Sequence, residues 1–525
     1  MAVIHDKDSN ELLQTVLKYV KYFFSSVLTV TYLVYIMWGI WTNEAVLPGP
    51  SVLHFLIFCF CLTLVAYLEG LQVAILNCEH VDPGDKEESH PRAFKLMTSV
   101  RQGNNVERFL VGRQFFTIFV MTLMAQVTSF PDISHLNIPD VVWFIFISTG
   151  LPGAMVVTTI GSLQPQLLAA KDPWNFLNLR GSYATLMLCY ALEWTGICTH
   201  FAWMLIALLR QTLFRTDLSP KSKNHEMTTK DKAFDILKYI MSFCVLSMYF
   251  LYLMFGMWTG ESLLSQSGLP GVVVFVCFSC CILFLAMLEG LQVGILVREN
   301  KDPGENNFET THPRAHALMK RATHEKNVRR FLIGRQFFVI FVVFLINQCT
   351  IFPDIEQFGV NSILWFFVIQ LGLPTALNVL CFGQLPAQLL ANQDPMLFMN
   401  RPGPRFTLEV CLFTEMTGIA HFSWVVTSLS MATWFKVTSK KKNKETYDVE
   451  ENYSIPPPSP LENQADSLSI IERDYIDVSV GGAAGRGNRG GGRRGDMVKE
   501  THHNPSRFLV TVSTDDNDNA IDNPK

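Results

Sequence analysis

Six ionisable side chains stand inside long apolar stretches of this 525-residue chain: Glu69, Arg113 and Glu193, and again Glu289, Arg335 and Glu415. A charge at the centre of a bilayer costs about 2.5–3.5 kcal/mol even on the lenient insertion scale, so each needs a partner or a task. Glu69 lies about nine residues from the end of its stretch, roughly 13 Å along a helix, and Arg113 about four residues into the next, so a long arginine can bridge them. One reading is a clamp that only fixes helix packing. Amides accompany the charges, however: Gln72 shares a helix face with Glu69, and Gln114 follows Arg113, with Gln292 and Gln336 in the same places beside Glu289 and Arg335. An amide offers two donors and an acceptor, so four of them around a small cavity suit a neutral polyhydroxylated solute. Gln126 and Gln348 recur one span deeper, where helix-to-helix bonding is an equal alternative. Glu193 and Glu415 complete a secondary polar set. His200 lies seven residues after Glu193 but His421 six after Glu415, so their faces are expected to diverge. Each histidine is read first as structural and second as a proton relay.

The elements that must carry these groups follow from composition. Hydrophobic residues make up 49% of the chain, aromatic 12% and charged only 17%, against about 25% charged in soluble domains. About ten apolar stretches reach the roughly 20 residues that a helix needs to cross hydrocarbon: 19–41, 52–77, 109–129, 139–161, 183–209, 239–258, 272–297, 331–350, 362–382 and 406–433. Lipid leaves no partner for open backbone, so helix is the default and the class is an all-α polytopic membrane protein. A net charge of -4 gives no argument for nucleic acid, and no cleaved signal peptide is expected. Cys59, Cys61, Cys277, Cys280 and Cys281 lie in apolar runs and read as small hydrophobes. The C-x-x-C spacing of Cys277 and Cys280 has no second pair or histidine to make a metal site, and a metal at the polar sets is left open. No nucleophile–base pair or phosphate loop appears, which points away from an enzyme.

The chain matches itself at a shift of about 220 residues. Glu69-Gly70-Leu71-Gln72 recurs as Glu289-Gly290-Leu291-Gln292, and Gly112-Arg113-Gln114-Phe115-Phe116 as Gly334-Arg335-Gln336-Phe337-Phe338. Gly150-Leu151-Pro152 recurs as Gly372-Leu373-Pro374. The expected organisation is an N-terminal cytoplasmic segment 1–18, a first repeat 19–209, a basic linker 210–238, a second repeat 239–433 and a disordered tail 436–525 rich in Pro, Gly, Ser and charge. That tail holds an Arg/Gly run from Gly485, read as flexible chain before RNA contact. Arg and Lys gather in the loops after the second stretch of each repeat, including Arg92, Arg101, Arg314 and Arg321, which places both on the cytoplasmic side. Five full crossings per repeat would invert the second half. Parallel halves are therefore favoured, with the fourth stretch, broken at Gly150 and Pro152, expected to enter and leave on one side.

Paired EGLQ and GRQ motifs, twice and in order on the right stretches, resemble the EGxQ and GRQ motifs of silicon transporters, in the full-length form with two motif sets. The resemblance covers about residues 15–435. It implies sodium-coupled uptake of silicic acid by alternating access, with Glu69, Gly70, Gln72, Gly112, Arg113, Gln114, Glu289, Gly290, Gln292, Gly334, Arg335 and Gln336 at the substrate. It implies Na+ as the co-transported ion, no tightly bound cofactor, silicic acid and the lipid bilayer as partners, and the plasma membrane or an intracellular silica-depositing membrane as location. Sodium ligands are left open between a carboxylate such as Glu69 and carbonyls freed at Gly150. Alternatives are a transporter or channel for another small hydroxylated solute such as boric acid, or a scaffold acting through its tail.

Overall fold

Leu, Ile, Val and Phe fill nearly every turn of the apolar stretches, and in the computed structural model they form helices; no strand occurs among the described residues, which are 2–78, 81–103, 105–131, 139–209, 229–299, 308–324, 327–353 and 361–432. The chain divides into a unit of 1–428 with 505–525 and a unit of 429–504, of which only the helical residues 429–432 are described. The tail from 436 and most of the linker lie outside the described residues.

Among the described residues, seven helices are long and apolar enough to cross a membrane: Thr15–Trp41, Ser51–Cys78, Asn105–Val127, Ile236–Gln266, Gly271–Arg298, Asn327–Thr350 and Ser362–Gln393. Two more runs qualify only across a bend, Val141–Ser148 with Leu151–Lys171 at 41° and Pro404–Thr417 with Phe422–Ala432 at 61°. Among the described residues, seven candidate spans, or nine with each bent pair taken as one, thus stand where about ten stretches are expected. The fifth stretch of the first repeat is split into Ser182–Trp194 and Ile197–Leu209, each of 13 residues and too short to cross alone. The GRQ helices Asn105–Val127 and Asn327–Thr350 form the interior, with 72% of their most apolar window buried, against 28–33% for the first two helices of each repeat.

Side-chain contacts give the directions of the helices. Glu69 meets Arg113 and Gln166 at one level, while Gly39 packs on Phe130 and Gly153 on Thr128 at the other. The first four runs of a repeat therefore alternate up and down. Between repeats, Gln348 donates to Ser129 Oγ at 2.7 Å near the ends of both GRQ helices. Gln336, near the start of the second, donates to Ser162 Oγ at 2.7 Å, one turn from the Gln166 that bonds Glu69. The two GRQ helices run side by side in the same direction, the sense that the loop charges call for.

The fourth run does not turn back, contrary to expectation. It travels from Gly150, beside Gln348 and Phe344, to Gln166, beside Glu69. Pro152 and Pro374 sit in the first turn of a new helical segment, where a missing N–H removes no bond. Gly150 and Gly372 take the left-handed conformation, φ 78° and 85°, that starts each segment. The proline therefore bends the run instead of reversing it. The fifth run of the second repeat bends by 61° beside Gly418, which takes the left-handed conformation at the end of Pro404–Thr417.

Each fifth run leaves its own repeat. His200 packs edge-on against Tyr239 with ring centroids 4.5 Å apart, and Phe201 against Phe382 at 5.2 Å. Reciprocally, Ser25 Oγ donates to the Ile419 carbonyl at 2.6 Å and accepts from the Phe422 amide at 2.9 Å, while His421 packs on Tyr22. The two histidines hold matching places despite their different spacing from Glu193 and Glu415, because each seats the crossover on the other repeat's first helix.

Candidate functional site

Glycine sets how closely the motif helices approach their neighbours. A methyl group at Gly70 would overlap the Phe176 ring, and one at Gly290 the Phe398 ring. At Gly112 and Gly334 it would overlap the backbone carbonyl oxygens of Cys189 and Cys411. These four positions let the EGLQ and GRQ helices sit tightly enough for their charges to meet.

The charges meet as buried ion pairs. Arg113 Nη1 donates to Glu69 Oε1 at 2.9 Å and Arg335 Nη2 to Glu289 Oε1 at 2.6 Å. The second oxygen of each carboxylate accepts from a glutamine on the fourth run, Gln166 to Glu69 and Gln388 to Glu289, both at 2.6 Å. Arg335 also donates to Gln336 Oε1 at 3.2 Å and to the Leu288 carbonyl at 3.3 Å. With Gln336 bonded to Ser162, and Gln166 at 3.4 Å from the same hydroxyl, one chain of polar contacts links Glu289, Arg335, Gln336, Ser162, Gln166, Glu69 and Arg113. The motif sets of the two repeats are thus brought together at the repeat interface. Each carboxylate faces a guanidinium, so the pairs add no net charge, and pairing with full hydrogen bonding is what a buried ion needs.

Ser162, Gln166 and Gln388 are absent from the sequence-derived site. Their signal was the polarity of Gln164 to Gln166 and Gln384 to Gln388, too great to face lipid, with no means in the sequence to say what they touch. The other motif amides remain open. Gln72, Gln114 and Gln292 make no side-chain hydrogen bond among the described residues; Gln114 is buried and the other two are half-buried. Arg113 Nε is also buried without a partner. Among the described residues no group of three His, Cys, Asp or Glu forms a metal cluster, so the candidate oxygens for a cation are the paired carboxylates and the amide carbonyls.

The secondary set divides. Gln126 and Gln348 lie at the opposite end of the GRQ helices from the ion pairs, where Gln126 lines a cavity of about 60 Å³ with Thr350, Trp365, Gln370 and Thr375. Glu193 and Glu415 do not join the central network. They pair with Arg108 and Arg330 at 2.7 Å, at the starts of the GRQ helices, with 39% and 38% of the arginine side chains exposed. Pairs so accessible contribute under about 1 kcal/mol. Glu193→Gln is accordingly expected to leave thermal stability and transport near wild type, a result read by uptake and by unfolding temperature; a loss as large as that of a Glu69 variant would place Glu193 in the pathway.

No match was found among curated proteins or among solved structures. A model of the silicon transporter family matches residues 13–229 and again residues 230–448. Its two copies coincide with the two EGLQ/GRQ repeats, so this multi-pass integral membrane protein belongs to the silicon transporter family.

Proposed function

We propose that the chain carries silicic acid along the interface between its two repeats, driven by sodium and by alternating access. The observation that carries this reading is the pairing of neutralised charge with open amides: both buried carboxylates are matched by arginines, while Gln72, Gln114 and Gln292 keep their donors and acceptors unspent. Orthosilicic acid is uncharged near neutral pH and offers four tetrahedral hydroxyls that both donate and accept. Uncommitted amides around compensated charge favour such a solute over an ion. The parallel repeats, each holding the other's last run, supply two bodies that can rock about a central site. The carboxylate and amide oxygens on the network are suitable hard ligands for a sodium ion. Uptake at a plasma membrane follows from an inward sodium gradient.

The test is reconstitution of the full chain in sealed vesicles. Silicic acid uptake is expected to rise severalfold under an inward sodium gradient compared with potassium. Flux independent of sodium would identify a channel, and stronger inhibition by boric acid than by unlabelled silicic acid would move the substrate class. Replacing Gln72 or Gln292 with Ala should cut uptake about tenfold or more, the loss of one or two charge-assisted or neutral hydrogen bonds at about 1.4 kcal/mol per factor of ten, with membrane insertion unchanged. Wild-type flux in both variants would remove the EGLQ glutamines from the site.

A further inference from the structure

The two repeats obey their internal symmetry at nearly every polar contact of the site. Glu69–Arg113 matches Glu289–Arg335, Gln166–Glu69 matches Gln388–Glu289, and Gly150 beside Gln348 matches Gly372 beside Gln126. The match breaks at the Gln348–Ser129 bond, where the second repeat has Ile351, and at one position of the central network. Ser162 in the first repeat is replaced by Gln384 in the second. On the Ser162 side, Gln336 is spent at both ends, its nitrogen on the serine hydroxyl at 2.7 Å and its oxygen on Arg335 at 3.2 Å. On the other side, Val379–Gln384 packs against the first GRQ helix, which puts Gln384 by symmetry against Gln114. There neither amide is satisfied by the other: Gln114 makes no side-chain bond, and Gln384 Oε1 is buried with no partner. Gln384 also sits where a π-helical segment gives way to α-helix, with φ -109° and ψ -66°, a kind of junction that recurs at functional sites.

We infer that the solute binds on one side of the repeat axis only, between Gln114 and Gln384, while the Ser162–Gln336 bond closes the equivalent place on the other side. This rests on the transport reading above and deepens it by naming Gln384 as a binding residue and one neutral hydroxylated molecule per chain as the load. A buried acceptor without a donor is a standing penalty, and a solute hydroxyl removes it. The opposing Gln114 amide supplies both a donor and an acceptor for a second hydroxyl, so the pair reads two edges of a tetrahedral molecule. A serine at position 384 would instead accept from Gln114, as Ser162 accepts from Gln336.

The experiment is equilibrium dialysis of silicic acid against the detergent-solubilised full chain. Wild type is expected to bind one molecule per chain. Gln384→Met, which keeps the volume and removes the amide, and Gln114→Met should each weaken binding about tenfold or more, and Gln384→Ser should do so while retaining the wild-type unfolding temperature. Ser162→Ala should weaken it by clearly less than Gln384→Met. Two molecules per wild-type chain, equal losses from Ser162→Ala and Gln384→Met, or wild-type affinity in Gln384→Met would each overturn the one-sided site and leave silicic acid transport standing. A wild-type chain that binds no silicic acid would take down both readings, so the two failures are distinguishable.

Discussion

Arg335→Ala is expected to abolish silicic acid uptake and to destabilise the folded chain by about 3–5 kcal/mol, the penalty for stranding one member of a buried ion pair. The size follows from position. Arg335 is 6% exposed and Glu289 2%, so no water replaces the lost guanidinium, and Arg335 alone also holds Gln336 and the Leu288 carbonyl. Its removal therefore loosens the contact with Ser162 across the repeat interface. Removing both charges separates structure from transport. In Glu289→Gln with Arg335→Met the stranded charge is gone, so stability is expected to return to within about 1–2 kcal/mol of wild type, while uptake stays lost. Unfolding temperature in detergent and vesicle flux measure the two effects. Uptake restored along with stability would reduce the pair to a packing clamp.

Gly334→Ala carries the second large effect. The added methyl would occupy the space of the Cys411 carbonyl oxygen, a backbone atom of the helix Pro404–Thr417 that cannot rotate aside as a side chain would. The helices must separate, and overpacking of this kind costs about 1–3 kcal/mol or more. Separation acts at the next residue, Arg335, whose 2.6 Å contact with Glu289 depends on helix position. Low folded yield and at least tenfold lower flux are expected, and Gly112→Ala should behave alike against the Cys189 carbonyl. Gly294→Ala, where the methyl meets the flexible Met399 side chain at 3.4 Å and the Pro395 carbonyl oxygen at an ordinary 3.9 Å, is the control and should be neutral or stabilising by about 1 kcal/mol. A Gly334→Ala chain that folds and transports normally would mean that the two helices do not need this closeness.

The ion pairs were legible before any coordinates, because depth in an apolar stretch is counted along the chain and a buried charge demands an opposite one within reach. The same reasoning misplaced the fourth run. Gly150 and Pro152 were visible as a break, but whether a break bends or reverses a helix depends on what packs beyond it, here Phe344 and Gln348 from the other repeat. Glu193 and Glu415 count with the membrane charges because their stretches are apolar; the partners that remove them from the centre, Arg108 and Arg330, stand at the starts of helices far along the chain.

Helical class, duplication and the pairing of Glu69 with Arg113 and of Glu289 with Arg335 rest on composition, self-comparison and counted depth, all of which are one-dimensional properties of the chain. The tertiary structure alone decided that the last run of each repeat packs on the other, that Gln166 and Gln388 complete the carboxylate contacts, and that Ser162 takes up Gln336 while Gln384 Oε1 is left without a partner. These are meetings between residues about 40 to 400 positions apart, set by which helix faces pack together, and the residue types along two homologous repeats do not say which side chain will find a partner and which will not.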